Sequence, residues 1–550
     1  MKKILNSLLF LSCFIIACNS QQVSTDNKKE ASTSTEATAE KQKKITKRDY
    51  SITKENAYND IFFDSLLMEK YISDKKIPDS ISRRIRSFYN ARNYQFAWFS
   101  SNGLTEQALA FWNLHNFDTY EGDTSIKDKA LQRKMDDLIA DSSLKVKASD
   151  KAIQNTELAL TEHFIRFSLS NYEKAYLKRK EMERFIPLKK VYAMELADSL
   201  LSKKHKNNKY FEEVNKAYKE LMDQLAIYVD IKKAGGWPQV SLDPKKIKKG
   251  SSAPGITTLK KTLSITGDLT AKDSSQVFDD TLVNAIKHAQ LRFGYTSTGL
   301  LTSSLIKDLN VPVERRIEQL LINLNRMRWM PQEPEGKLIL VNIPEFELHF
   351  WDGKNKVFDM DVVVGKEGHY TMMFTGKLST VVFSPYWNVP PSIVKKEIMP
   401  KMAHNPNYLA SQDMEVTGTE GGLPVIRQKP GNKNSLGKVK FLFPNSFNIY
   451  FHDTPAKSLF SQDKRAYSHG CIRLSDPLKM AETLLKDNSQ WPSDKIIEAM
   501  NSGNEQFVKI KDPVPVFITY YTAWVENGLL NFSDDIYKRD AAVAGKMFLR

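Results

Sequence analysis

Cys471 stands in Ser468-His469-Gly470-Cys471-Ile472-Arg473-Leu474, and a second histidine, His452, lies nineteen positions upstream. This is the grouping that a thiol nucleophile needs. A thiol with an unperturbed pKa of about 8.5 is mostly protonated at neutral pH. A neighbouring histidine can take that proton and leave the reactive thiolate. Two histidines are candidates. His452 follows the apolar run Ile449-Tyr450-Phe451, which would display it at a strand end, and His469 lies two residues before the cysteine. Gly470 lets the backbone turn sharply before Cys471. Such a turn exposes sulfur and points successive N–H groups one way, where they could hold an oxyanion during acyl transfer. From these residues alone the chemistry is that of a thiol acyl-enzyme, with the base open between the two histidines.

Cysteine usage sharpens this reading. The chain has three cysteines in 550 residues. Met1-Lys2-Lys3 is a basic start, and Ile4 to Ala17 is mostly apolar, too short to span a bilayer and suited to a signal peptide. Cys13 lies inside that run and would be removed. The run ends in Ile15-Ile16-Ala17-Cys18, which resembles a bacterial lipobox; the resemblance implies cleavage before Cys18 and a lipid on its thiol. Cys471 is then the single unmodified thiol, unable to form an intramolecular disulfide and worth reading as reactive. Asn19 to about Lys47 is polar and without aromatics, so it cannot bury a core and is expected to be a flexible tether.

About 500 residues follow the tether, enough for two to four domains. At 41% hydrophobic and 11% aromatic they can bury real cores. The net charge of +15 suits an anionic envelope polymer or membrane surface better than nucleic acid in an exported protein. There is no phosphate-loop or zinc-finger pattern and no His-Glu-x-x-His, so no cofactor and no metal is expected. From about Asn56 to Gly236 the apolar spacing is helical. Ile81, Ile85, Phe88 and Tyr89 share a face behind an Asp79-Ser80 start. Tyr210, Val214, Ala217, Tyr218, Leu221 and Leu225 form another stripe, and Gly235-Gly236-Trp237-Pro238 breaks the pattern. Pro254 to Pro312 predicts three short helices. From Lys337 the period changes to that of strands, with a hairpin turn at Asp352-Gly353 and strands at 380–383 and 449–451. Between these last two, Lys395 to Lys440 is rich in Lys, Gly, Pro and Asn with weak periodicity, which predicts an irregular, mobile lid.

The motif around Cys471, with His452-Asp453-Thr454, resembles the signature of the L,D-transpeptidase catalytic domain of the YkuD type. The likeness extends through Ser384-Pro385-Tyr386-Trp387-Asn388-Val389-Pro390-Pro391-Ser392-Ile393, Arg427 to Gly431, Asn434 to Gly437 and Phe441 to Asn445. The helical scaffold, the three-helix unit and Tyr521-Thr522-Ala523-Trp524 resemble the large, multidomain branch of that family. The resemblance implies Cys471 as nucleophile, His452 as base, Asp453 as the residue orienting it, and the N–H groups of Gly470 and Cys471 as the oxyanion site. His469, Arg473 and Ser468 would brace the site, and Trp387, Arg427 and Tyr450 would bind substrate, Arg427 through a carboxylate. Residues 254–312 resemble a peptidoglycan-binding module, although Thr298-Gly299 stands where Asp-Gly is usual.

The resulting expectation is a multidomain α+β chain. A signal peptide (1–17) and tether (18–55) precede a helical scaffold (56–250), a peptidoglycan-binding-like module (251–312) and a connecting helix (313–336). A mostly-β catalytic domain (337–511) follows, with its lid at 395–440, and then a C-terminal extension (512–550). The implied activity is peptidoglycan cross-linking on the periplasmic side of the envelope. Cys471 would attack the third residue of a tetrapeptide stem, release D-alanine and pass the acyl group to the side-chain amine of another stem. Partners would be stem peptides, the membrane through Cys18, and penem-type β-lactams as inhibitors. The rivals are a hydrolytic member of the same fold and a non-catalytic wall-binding lipoprotein. A papain-like or NlpC-type peptidase would place the cysteine before the histidine, the reverse of the order here.

Overall fold

The computed structural model describes residues 45–120, 128–141, 144–171, 185–202, 216–270, 273–331 and 334–550. The signal peptide, Cys18, most of the tether, Tyr210 and Val214 lie outside the described residues. The tether expected to reach residue 55 ends sooner. The Asn90 side chain donates to the Thr46 carbonyl at 2.8 Å, Asn93 donates to that of Ile52 at 2.7 Å, and Ile52 is buried. Among the described residues no helix is long and apolar enough to cross a membrane.

The helical region contains α1 (Ser65–Asp74), α2 (Asp79–Asn90), α3 (Glu106–Tyr120), α4 (Lys129–Ala140), α5 (Lys151–Asn171), α6 (Ala193–Leu201) and α7 (Lys216–Lys233). Asp79 sits in the first turn of α2, where a carboxylate suits the helix dipole, and Ile81, Ile85, Phe88 and Tyr89 form its buried face. Helix α7 buries Tyr218, Leu221 and Leu225. It stops at Gly235 and Gly236, whose positive φ angles send their N–H groups back to the carbonyls of Lys232 and Ile231. The chain returns to this region at its end. Ala523, Leu530 and Phe532 of a hairpin, and Val543, Ala544 and Met547 of a last helix, pack into the same core. The expected C-terminal extension thus divides: these residues join the helical region's packing, while Val514, Val516, Ile518, Tyr520 and Tyr537 lie in the barrel core.

Helices α8 (Pro254–Ile265), α9 (Asp280–Arg292) and α10 (Ser303–Leu309) pack on a separate small core of Leu259, Leu263, Leu282, Ile286 and Leu305. Val240 belongs to that core too, so the unit begins before residue 251. Helix α11 (Val313–Met327) leads into the β region.

The strands there are β1 (Lys337–Asn342), β2 (Glu347–Asp352), β3 (Asn355–Gly365), β4 (Phe374–Phe383), β5 (Trp387–Asn388), β6 (Met414–Glu420), β7 (Leu423–Gln428), β8 (Val439–Leu442), β9 (Phe451–His452), β10 (Ala466–Ser468), β11 (Ile472–Leu474), β12 (Gln506–Thr519), β13 (Ala523–Glu526) and β14 (Leu529–Phe532). Eight of them close in the order β3-β11-β9-β8-β4-β12-β1-β2 and back to β3, with β10 added on β3. The ring is mixed, because β9–β11 and β12–β1 are parallel. Ile339, Val341, Phe451, Ile472 and Leu474 fill its core. Strand β12 runs across residue 511, where sequence placed the end of the catalytic domain, and pairs with both β1 and β4.

The expected irregular lid is regular. Pro391–Ile393, Val394–Ile398 and Met399–His404 form one helical run with a wide π turn in its middle. Strands β5, β7 and β6 make a three-stranded sheet, and Val389, Ile393, Val394, Ile398, Met414 and Ile426 form a core between helix and sheet. Gly421-Gly422 is not a break in this packing. Both residues have positive φ, 56° and 78°, and they join the paired Glu420 and Leu423 as the two-residue turn that right-twisted hairpins favour. The 429–437 stretch is pinned by Asn434, whose side chain donates to the carbonyls of Pro385 and Lys429 at 2.9 Å each.

Candidate active site

Strands β9 and β11 carry the site. They are parallel neighbours, with Phe451 opposite Ile472 and His452 opposite Arg473. Side chains alternate along a strand. Phe451, Ile472 and Leu474 enter the barrel core, so Tyr450, His452, Cys471 and Arg473 fall together on the other face. His452 lies within β9 rather than beyond it.

Cys471 is held by a braced turn. Gly470 has φ of 115°, a region that side-chain-bearing residues rarely enter. Thr371 Oγ1 donates to the Gly470 carbonyl at 2.7 Å and accepts from the Gly365 N–H at 2.9 Å. Tyr537, near the C-terminus, donates its hydroxyl to the Gly365 carbonyl at 2.6 Å and accepts from the Thr371 N–H. Ser468 Oγ donates to the Cys471 carbonyl at 2.5 Å and accepts from the Gly470 N–H at 3.1 Å. The Gly470 N–H, expected at the oxyanion site, is therefore already engaged by Ser468.

The thiol lies 3.6 Å from the Asn448 carbonyl oxygen. Residue 471 keeps a partly open surface, yet its sulfur sits among enough protein that its charged form is poorly solvated. Burial pushes the thiol up to about 11, against the hydrogen bonds from the Tyr450 N–H and hydroxyl and the charge of Arg473. His452 is buried. Burial and then the Arg473 charge bring the imidazole down to about 4, opposed by the carbonyls of Asp453 and Leu436. Both groups are thus neutral at neutral pH. His452 Nδ1 lies 2.5 Å from the Asp453 carbonyl oxygen. A carbonyl only accepts, so Nδ1 carries the hydrogen of the neutral ring and Nε2 the lone pair.

The Asp453 carboxylate is occupied elsewhere. Oδ2 accepts from the Lys438 N–H at 2.8 Å, and Oδ1 pairs with Lys457 at 2.8 Å. It packs so tightly on Gly437 that a Cβ there would come within 2.3 Å of it. Orientation of His452 thus comes from the backbone oxygen of Asp453. Arg473 is the converse case. Among the described residues its Nε is buried without a hydrogen-bond partner; burial lowers its guanidinium, and a Cys471 thiolate would raise it.

The remaining expected residues lie in or against the lid. His469 Nε2 is 2.8 Å from Glu397 Oε1 on the lid helix, and its ring meets His369 edge-on at 4.7 Å. Trp387 is half-buried in β5, paired with Gln428 and packed on the lid core. Arg427, expected to meet a substrate carboxylate, instead bonds Glu415 at 2.6 Å and covers the Tyr386 ring at 4.3 Å. Sequence reading missed Thr371, Tyr537, Asn448 and Glu397, which act through backbone atoms or across the fold and carry no local motif.

Residues 336–516 match the L,D-transpeptidase catalytic domain, YkuD, and residues 83–225 match the Scaffold domain. The chain carries an L,D-transpeptidase catalytic domain. A curated relative, the "Putative L,D-transpeptidase" of Haemophilus influenzae, is 32% identical over 242 residues, covering 41% of this chain and 49% of the relative. The chain thus spans about half the length of that relative. Among solved structures, the L,D-transpeptidase of Stackebrandtia nassauensis is 15% identical, with 51% of this chain and 96% of that chain covered and a TM-score of 0.21. The Ldtfm–avibactam carbamoyl enzyme is 12% identical, with 54% and 98% covered and a TM-score of 0.17. Overlaps this slight bear no conclusion about this chain.

Proposed function

We propose that this chain cross-links peptidoglycan by L,D-transpeptidation, with Cys471 as nucleophile and His452 as base. The observation that carries the reading is the pairing of β9 with β11, which sets thiol and imidazole on one face, with Nδ1 tied to the Asp453 carbonyl so that Nε2 carries the lone pair. Sγ attacks the carbonyl of the third stem residue as its proton passes to Nε2. The tetrahedral oxyanion is met by the Cys471 N–H, and Arg473 balances the negative charge gathering near sulfur. Collapse breaks the amide, and the D-alanine amine leaves with the proton from His452. An amine of a second stem then attacks the thioester, gives its proton to His452, and the thiol is restored.

Because both groups rest neutral, this is a general-base mechanism and not one with a standing thiolate–imidazolium pair. The lid, latched to the nucleophile loop through Glu397 and His469, keeps water from the thioester while the amine arrives. Penem-type β-lactams, which are strained amides, acylate the same sulfur. Cys18 carries the lipid that holds the protein to the envelope, and Cys18→Ser should leave the membrane fraction. The deciding test is mass spectrometry of muropeptides after incubation with a tetrapeptide-stem substrate. Cross-linked dimers plus free D-alanine are expected, with neither from Cys471→Ala. Trimmed stems without dimers would make the chain a hydrolase of the same fold, and equal product from Cys471→Ala would overturn the reading.

A further inference from the structure

A cleft of about 590 Å³ lies between the helical region and the barrel, walled by α3, α4 and α5 on one side and by the start of β4 and the 444–447 loop on the other. Its walls are tied at fixed separation. Ser446 donates to Asp136 of α4 at 2.6 Å. Asn113 of α3 donates to the Met373 carbonyl at 2.8 Å, and its own carbonyl accepts from Thr375. The 443–449 loop is knotted by Asn445, whose amide donates to the carbonyls of Phe443 and Ile449 and whose oxygen accepts from the N–H groups of Phe447 and Ile449. That uses the full hydrogen-bonding capacity of one side chain. The same loop reaches Cys471 through the Asn448 carbonyl. One rigid loop thus has residues in the cleft and an oxygen at the sulfur.

The charges in the cleft are unevenly committed. Asp128 accepts from the N–H groups of Ala130 and Leu131, and Asp136 accepts from Gln132 and Ser446. Lys129 and Arg133 stand four residues apart on α4, and so on one face. Both are exposed, and none of the described carboxylates pairs with them. His115 and His163 line the cleft too, beside apolar surface from Trp112, Ile139, Phe374 and Phe447.

We propose that this cleft is a second subsite, which takes an acidic stem peptide against the 444–447 loop, whose next residue meets the thiol, and pairs its carboxylates with Lys129 and Arg133. The proposal rests on the transpeptidase reading. Transfer needs two stems at one sulfur, and the lid occupies the side where His469 stands. Donor and acceptor stems share the same carboxylate chemistry, so the test separates them.

The full chain is compared with the Lys129→Gln/Arg133→Gln double variant. Alkylation of Cys471 by neutral iodoacetamide should be unchanged, which shows that fold and thiol are intact. Acyl-enzyme formation from a tetrapeptide stem alone reads the donor arm, and transfer from preformed acyl-enzyme to added stem peptide reads the acceptor arm. In one arm the variant should need about 3–10-fold more stem peptide for half-maximal rate, with the maximal rate kept, as fits the loss of two exposed ion pairs. The difference should vanish at high salt, which screens such pairs. Unchanged concentration dependence in both arms at low salt would overturn the proposal. Absence of any acyl-enzyme from the wild type would instead sink the transpeptidase reading. Calorimetry of stem peptide on Cys471→Ala, with and without the double substitution, then decides the subsite alone: weaker binding by the substituted chain upholds it and equal binding overturns it.

Discussion

Replacing Arg473 with methionine should make the protein more stable and the thiol less reactive. Among the described residues, Arg473 is a cation whose Nε is buried without a partner and whose guanidinium is lowered by burial with no carboxylate raising it. A buried polar group left unsatisfied costs about 1–3 kcal/mol. Methionine keeps most of the stem and removes that cost, so the thermal midpoint should rise. The electrostatic consequence runs the other way. Arg473 lowers both the thiol and the imidazole, because a cation favours a thiolate and disfavours an imidazolium. At an effective dielectric of about 20 a unit charge 5–8 Å away is worth about 2–3 kcal/mol. Access of solvent to this half-buried group trims that to about 1–2 kcal/mol, or about one pKa unit. The assay is alkylation of Cys471 by iodoacetamide between pH 6 and 10, followed by mass spectrometry. The wild-type rate should climb about tenfold per pH unit without a plateau near neutrality, as a thiol at about 11 requires. Arg473→Met should shift the curve up by about one unit and slow alkylation about tenfold at pH 8. A wild-type plateau between pH 5 and 8 would mean a standing thiolate–imidazolium pair and refute the neutral resting state. A variant with an unmoved curve and a lower thermal midpoint would refute the account of Arg473.

His452→Ala should slow acylation by a stem or penem far more than His469→Ala does, since His469 is spent on Glu397; the opposite ranking in stopped-flow acylation would exchange the two roles. Stability should fall with acid because of His452. Its folded value of about 4 lies below an unfolded one of about 6.5, so the unfolded chain binds the extra proton between those values. The contribution, at most about 3 kcal/mol, is whole above pH 6.5 and is lost as pH falls towards 4. Urea midpoints at pH 7.5 and 4.5 should therefore converge in His452→Gln, and an undiminished drop in that variant would assign the acid sensitivity elsewhere. Glu397→Gln should loosen the lid and raise the ratio of hydrolysis to transfer about 2–5-fold, in keeping with one exposed contact, with an unchanged product ratio counting against the lid's role.

The helical stripes and the switch to period two at Lys337 were legible because burial writes itself into sequence as spacing. Ile81, Ile85 and Phe88 lie on the buried face of α2, and Ile339 and Val341 in the barrel core. The lid was misread for a physical reason. Its core takes residues from a helix, a hairpin and a two-residue strand, so no single window holds a full period. Paired glycines in this chain also serve two opposite purposes. Gly235-Gly236 ends a helix, whereas Gly421-Gly422 joins two paired strands; both pairs adopt positive φ, and only the flanking elements distinguish them. Closure was invisible for a related reason. Strand β12 reads as one more apolar stretch, and nothing local says that it pairs with β1 on one side and β4 on the other.

Within the candidate site the legible residues are those whose own atoms carry the proposed chemistry. Cys471, His452 and Gly470 announce themselves because few other residue types provide a thiol, an imidazole or a φ of 115°. The residues that hold them do not, since a carbonyl or hydroxyl is available from almost any position. Asp453 shows the difference within one residue. Its carboxylate suggests an acid orienting a base, yet that carboxylate braces Lys438 and Lys457 while its carbonyl, common to every residue, meets Nδ1. Tyr537 extends the point across the chain. It fixes the Gly365 and Thr371 backbone that in turn fixes the Gly470 turn, and it sits in the barrel core between two stretches, at Leu530–Phe532 and Val543–Met547, that pack with the helical region. The geometry of the Gly470–Cys471 turn is therefore linked, through the stretches that flank Tyr537, to the docking of helical region and barrel. The same docking defines the cleft beside Asn448, so an activity lost by truncating the helical region would follow from either cause, and only substitutions that leave the docking intact, such as those at Lys129 and Arg133, can separate them.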